Sequence, residues 1–133
     1  MPADFLDSNV VLYLRLRGTK KADRAERLLQ SGGSISVQVL NECANVLRLK
    51  RKVPWPETHA FLAEVLSMVR VWPITIEIHR SGLRLAERYG FSIYDSFIVA
   101  AALAAGCDTL WSEDMQHGML VDGRLRIANP LAP

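Results

Sequence analysis

Four acidic residues of this 133-residue chain stand where a carboxylate is ordinarily avoided. Asp7 lies between Phe5-Leu6 and Val10-Val11-Leu12, and Glu42 between Val39-Leu40 and Cys43-Ala44. Asp95 sits between Ile93-Tyr94 and Phe97-Ile98-Val99, and Asp114 follows Leu110-Trp111-Ser112-Glu113. A charge in apolar surroundings is costly unless it is paired, hydrogen-bonded or metal-bound. Singly, each acid has an ordinary explanation: Asp95 as an acid favoured by a helix dipole, Asp7 as a strand-end cap, Glu42 as a partner of Arg48 or Lys50, Asp114 as a turn former. Together they would make an oxygen-only ligand set, which selects a hard cation such as Mg²⁺ or Mn²⁺ over zinc. His59, His79 and His117 share no ligand spacing, and Cys43 and Cys107 lack the CxxC spacing of metal or redox sites.

Hard cations held by carboxylates typically serve phosphoryl chemistry, orienting water and offsetting charge on phosphorus. The chain has no GxxxxGK(S/T) loop, which disfavours nucleoside triphosphate hydrolysis, and Gly32-Gly33 reads as a turn. The DxDx(T/V) nucleophile motif of a haloacid-dehalogenase-type phosphatase is also missing, because Ser8-Asn9-Val10 follows Asp7.

Positioning the acids requires particular elements. Residues 3–7 read as a first strand, with Ser8 and Asn9 as caps of a short helix over 10–17 that Gly18 breaks. Apolar residues recur at helical spacing over 20–30, through Ala22, Ala25, Leu28 and Leu29. A strand follows at 34–37, then a helix over 39–51, ended by Pro54 and Pro56. A helix begins near Pro56 and leads to a strand at 69–72 that Pro73 ends, and helical periodicity resumes over 75–88, with Gly90 after its last turn. The alanine-rich segment 92–105 reads as a buried central helix, followed by strands at 108–112 and 125–128. This order implies an α/β chain with a mainly parallel sheet between helix layers. Ligands of such sheets lie beyond the carboxyl ends of the strands, near a switch in strand order, and that rule brings Asp7, Glu42, Asp95 and Asp114 to one rim.

At these residues the sequence resembles the PIN-domain nucleases, most closely the VapC-like toxins of toxin–antitoxin pairs. The matching pieces are Phe5-Leu6-Asp7-Ser8-Asn9-Val10, Val39-Leu40-Asn41-Glu42, Tyr94-Asp95-Ser96-Phe97-Ile98-Val99-Ala100-Ala101-Ala102 and Leu110-Trp111-Ser112-Glu113-Asp114, in order and spread over nearly the whole chain. The resemblance implies a single PIN-like domain over 1–133, a three-layer α/β/α sandwich with a mainly parallel central sheet. It further implies an endoribonuclease that uses Mg²⁺ or Mn²⁺, and a dimer neutralised by a small VapB-like antitoxin. Carried over by position, Asp7, Glu42, Asp95 and Asp114 are the catalytic acids, with Asn9 and Ser112 as polar support. The expected arrangement has Asp7 and Asp95 holding the metal directly and Glu42 and Asp114 binding it or its waters. Where relatives often carry an aromatic residue after the fourth acid, this chain has Met115-Gln116-His117-Gly118, which leaves Glu113 as a second choice for that role.

The charge balance, 16 Lys+Arg against 14 Asp+Glu, is close to neutral, yet without the four acids the remainder carries 16 cations against 10 acids. A basic exterior around an acidic hole suits a polyanion such as RNA. Lys50 and Arg51, within the basic run after residue 47, are the candidate phosphate contacts, although cations at a helix end also complement its dipole. Half of the residues are hydrophobic and 23% charged, which fits a folded domain that needs no disulfide or structural metal. The uncharged run 96–107 falls short of the roughly 18 apolar residues of a spanning helix. The amino-terminal residues lack a secretory layout, so the cytosol is the expected compartment. A non-catalytic α/β module that binds a basic protein segment at its acidic rim is the competing reading.

Overall fold

Five of the helices start on a side-chain cap, and that sets where the chain turns out of each strand or loop. In the computed structural model, which describes residues 4–132, strand β1 (Asp4–Leu6) runs into Asp7, whose carboxylate accepts from the Ser8 amide and caps helix α1 (Ser8–Leu12). The cap is therefore Asp7 rather than Ser8 or Asn9, and the helix starts earlier than the expected residue 10. It tightens into a single 3-10 turn at Tyr13–Arg15. Thr19 caps α2 (Lys20–Gln30), whose bounds match the apolar repeat. Strand β2 (Ser34–Ser36) ends on Ser36, the cap of α3 (Val37–Asn45). A π turn follows at Val46–Lys50, then α4 (Trp55–Met68) and strand β3 (Arg70–Trp72). Thr75 caps α5 (Ile76–Tyr89), which stops at Gly90 with a left-handed φ of 79°. Ser92 caps α6 (Ile93–Ala104), and β4 (Thr109–Trp111), β5 (Leu120–Val121) and β6 (Leu125–Ala128) complete the chain.

The sheet order is β3-β2-β1-β4-β6-β5, and every pairing is parallel except β5 with β6. Helices cover both faces, the three-layer arrangement expected of a parallel sheet. Strand β5 has no counterpart in the sequence reading: two residues are too few to show a period, and the segment is defined by pairing with β6. Residue 3, expected in the first strand, lies outside the described residues. The core gathers the strand residues Phe5, Leu6, Ile35, Leu110 and Ile127 with Ile98 and Val99 of α6, all 0% exposed. Helix α6 is the buried central helix anticipated from its alanines, with Ser96 and residues 98–103 buried. Cys43 and Cys107 are both buried thiols.

The helix expected to run regularly over 39–51 instead widens at its end. Arg51 N–H reaches the Val46 carbonyl at 3.0 Å and Val53 N–H the Leu47 carbonyl at 2.8 Å, while Lys52 takes a φ of 52°. The wider turn keeps Leu47 fully buried and leaves Leu49 69% exposed beside the exposed Lys50 and Arg51. Its local period therefore departs from the 3.6 residues on which a sequence pattern is read.

Candidate active site

The strand order reverses at β1, with β2 and β3 on one side and β4 on the other, so the crevice beyond the carboxyl ends of β1 and β4 is the switch point. Asp7 follows β1 there, and its backbone N–H extends the ladder to the Trp111 carbonyl at 2.9 Å. That bond sets Asp7 beside Ser112. The Asp7 side chain, 3% exposed, is met only by uncharged donors. Its Oδ1 accepts from Ser8 N–H at 2.7 Å, and its Oδ2 from Ser112 Oγ at 2.7 Å and Asn9 Nδ2 at 3.3 Å. Burial pushes its pKa up to about 6 against the lowering effect of Ser112 and Ser8, and the charges of Asp95 and Glu42 push the same way as burial.

Glu42 and Asp114 attach to this centre through short polar links, whereas Asp95 is coupled to it through charge alone. Ser8 Oγ donates to Glu42 Oε1 at 2.9 Å, and Gln38 Nε2 donates to Oε2 of the same residue at 3.0 Å. Glu42 is thus tied to the β1 corner rather than to Arg48 or Lys50. Asn9 Nδ2 also donates to Asp114 Oδ2 at 3.1 Å, so one amide spans Asp7 and Asp114. Glu113 turns instead to Lys21, at 3.4 Å, while its backbone N–H donates to Asn9 Oδ1. Asp95 is half-buried, and desolvation raises its pKa, with Glu42 and Asp114 adding to the rise and the Ser92 hydroxyl opposing it. Burial and the charges of Asp7 and Glu42 also push the neighbouring Cys43 thiol up to about 12.

A cavity of about 770 Å³ opens at this rim, lined in part by Asn9, Glu42, Asp114, Lys50 and Arg51, whereas neither Asp7 nor Asp95 lines it. Ser112 lies beneath it, fully buried, and Asp7 is reached through Ser8 and Asn9. The basic run divides: Arg48 stacks over Trp55 at 4.2 Å and donates to the Val53 carbonyl at 2.6 Å, whereas Lys50 and Arg51 face the cavity. Ser8, the bridge between Asp7 and Glu42, and the lining residues Tyr13, Gln38, Asn41, Asn45 and Tyr94 are functional positions absent from the expected site. The polar side chains at 38, 41, 42 and 45 recur at helical spacing, which was the available signal.

The donor set suits a hard cation. Among the described residues, Lys21–Glu113 and Arg84–Asp122 are the ion pairs, so none of Asp7, Glu42, Asp95 and Asp114 has a cationic partner. No group of three or more His, Cys, Asp or Glu among the described residues is disposed to hold one ion as the side chains stand. Mg²⁺ sites commonly take one or two carboxylates and keep several waters, so a full cage of side chains is not required.

A PIN domain model matches residues 5–117. The chain belongs to the PIN domain family. No curated protein matches the sequence. Solved structures share the PIN fold of this chain at low identity. A DNA-bound VapBC from Salmonella typhimurium superposes with a TM-score of 0.75 at 17% identity, over 98% of this chain and 99% of that one. A toxin–antitoxin complex from Klebsiella pneumoniae gives 0.70 at 18% identity, over 96% and 98%. A sarcin-ricin-loop-cleaving VapC toxin from Mycobacterium tuberculosis gives 0.67 at 22%, over 84% and 92%. Among the described residues no helix of this PIN domain is long and apolar enough to cross a membrane.

Proposed function

We propose that this PIN domain is a metal-dependent endoribonuclease, the toxin of a toxin–antitoxin pair, with residues 1–133 forming one domain that acts in the cytoplasm. The observation that carries the proposal is Asp7: a carboxylate 3% exposed at the switch point, met by the charges of Asp95 and Glu42 and by no cation. A buried anion repelled by like charges is a liability unless a cation arrives to offset it. Asp7 and Asp95 are assigned as direct ligands of Mg²⁺ or Mn²⁺, with Glu42 and Asp114 holding the ion or its waters. Asp114 is preferred to Glu113 as the fourth acid because Asn9 ties it to Asp7, whereas Lys21 holds Glu113. The bound ion would supply charge to offset the developing negative charge on phosphorus and would orient a water for in-line attack.

The chain's own residues do the rest. Ser112 and the Ser8 amide hold Asp7 in one orientation, and Asn9 keeps Asp114 at the same rim. Lys50 and Arg51 supply positive surface for the RNA backbone at the cavity edge. The neighbours, which include toxin–antitoxin complexes, support a small VapB-like antitoxin as partner, and a second copy of this chain is the further partner proposed. Calorimetric titration with Mn²⁺ tests the site. The parent should bind and Asp7→Ala should not; binding unaffected by Asp7→Ala, or none in the parent, favours a non-catalytic module that engages a basic protein segment.

A further inference from the structure

Tyr94, Asn41 and Asn45 line the cavity at the acidic rim yet hold none of the acids. Tyr94 precedes Asp95 on the first turn of α6 and is 64% exposed. Its ring meets the protein in one T-shaped contact with Phe97, the centroids 6.3 Å apart and the planes at 79°. A large aromatic left open at a cavity of mixed polar and apolar lining offers its face to a flat partner. On the opposite element, α3, Asn41 and Asn45 are exposed and one helical turn apart, so they share a face. Neither amide side chain has a hydrogen-bond partner among the described residues. Gln38, on the same face, is by contrast committed to Glu42. An amide group presents two donors and an acceptor, the complement of the edge of an unpaired base.

The order along α3 gives these groups a direction. Glu42 marks the acids, and Lys50 stands eight residues further on, at the end of the π turn. Asn45 falls between them and Asn41 beside the first. A strand whose scissile phosphate met the acids and whose flanking phosphates met Lys50 and Arg51 would run along the cavity that the two amides and the Tyr94 ring also line.

We propose that Tyr94, Asn41 and Asn45 form a nucleobase subsite, in which an unpaired base beside the scissile phosphate stacks on Tyr94 and bonds by its edge to the two amides. The subsite rests on the nuclease reading above and adds what that reading lacks, a source of base preference. Lys50 and Arg51 recognise only backbone, and the acids act on a phosphate common to every nucleotide.

The test uses fluorescence anisotropy with labelled single-stranded oligo(A), oligo(C) and oligo(U), and with an oligomer of the same length carrying abasic sites. It is run with Mg²⁺ on an Asp7→Asn background so that the RNA persists. Tyr94→Ala should weaken binding of base-bearing RNA by roughly tenfold, the usual effect of losing one stacked base, while Tyr94→Phe should not. Both variants should bind the abasic oligomer as the background protein does. The salt slope should stay unchanged in Tyr94→Ala, since no phosphate contact is lost. Asn41→Ala and Asn45→Ala should reorder the three homopolymers instead of weakening all equally. The subsite is overturned if Tyr94→Ala, folded by circular dichroism, binds base-bearing RNA like the background, or if it loses the same factor on the abasic oligomer. A background protein that binds no RNA overturns it as well. RNA cleavage by the unaltered protein is scored separately, so the nuclease reading stands or falls independently of the subsite.

Discussion

Ser112 Oγ donates a 2.7 Å hydrogen bond to Oδ2 of Asp7, joining the residues that follow β4 and β1. The same oxygen accepts from the backbone amides of Asp114 at 3.3 Å and Met115 at 3.2 Å. One buried hydroxyl thereby fixes the orientation of an acid and the path of the loop bearing Asp114. Ser112→Ala should destabilise the fold by about 1–3 kcal/mol, the usual cost of stranding buried polar partners. It should also raise the Asp7 pKa further, because a bond that favours the carboxylate is lost. Chemical unfolding at neutral pH together with an activity–pH profile checks both effects; unchanged stability would show that water replaces the hydroxyl.

Asp7 gives the fold an unusual pH dependence without metal. Its pKa is raised from 3.8 to about 6, so between those values the folded chain holds a proton that the unfolded chain has released. The stabilisation linked to that proton is fully present below 3.8 and is lost as pH rises through about 6. Each pKa unit corresponds to about 1.4 kcal/mol, so the charged form costs the fold on the order of 3 kcal/mol at neutral pH. Asp7→Asn should therefore be more stable than the parent at pH near 8 in EDTA, by about 1–3 kcal/mol, and the gap should narrow towards pH near 5. Guanidinium unfolding at the two pH values measures it, and a gap independent of pH contradicts the burial of Asp7 as an anion.

Gly82 lets α5 lie against α6, which carries Asp95. It is buried, and a Cβ there would overlap the Phe97 ring two residues beyond Asp95. Alanine gains about 1 kcal/mol of helix propensity, but overpacking typically costs 1–3 kcal/mol. Gly82→Ala should lower stability by about 1 kcal/mol on balance and reduce activity by shifting the start of α6. Thermal melts and steady-state rates check it; a stabilised variant would mean that the Phe97 ring moves aside freely.

The basic run after α3 separates a structural cation from two interface candidates. Lys50→Glu with Arg51→Glu should weaken RNA binding and reduce the salt slope by roughly 0.7 per lost phosphate contact. Arg48→Gln should lower stability instead, because its guanidinium serves Trp55 and the Val53 carbonyl. Salt titrations of RNA binding distinguish them, and an unchanged slope removes Lys50 and Arg51 from the interface.

How much of this was legible in the sequence depended on the range of the interaction that decides each feature. Helix α2 reads correctly because its amphipathic repeat is local, and α6 because its apolar run carries so few charges on any face. The arrival of acids from distant segments at one rim follows from the parallel topology, a global rule that the strand and helix order suffices to invoke. The π turn was illegible because its spacing is set by Leu47 seating in the core and by the turn at Lys52. Ser8 looked like a cap because its bond to Glu42 spans 34 residues, and no local pattern announces such a partner. Strand β5 exists only through β6. Lys50 and Arg51 stand out in the sequence as candidate contacts, but the separate task of Arg48, against Trp55 and the Val53 carbonyl, shows only once the side chains have directions.

Incubating purified protein with RNA and Mg²⁺ or Mn²⁺ decides whether the acids around Asp7 cut RNA with the help of a divalent cation. Parallel reactions contain EDTA or the Asp95→Asn variant, whose fold is verified by circular dichroism. The expected result is cleavage by the parent with metal, none with EDTA, and a severe loss in Asp95→Asn. Cleavage that persists in EDTA, or full metal-dependent cleavage by a folded Asp95→Asn, contradicts it.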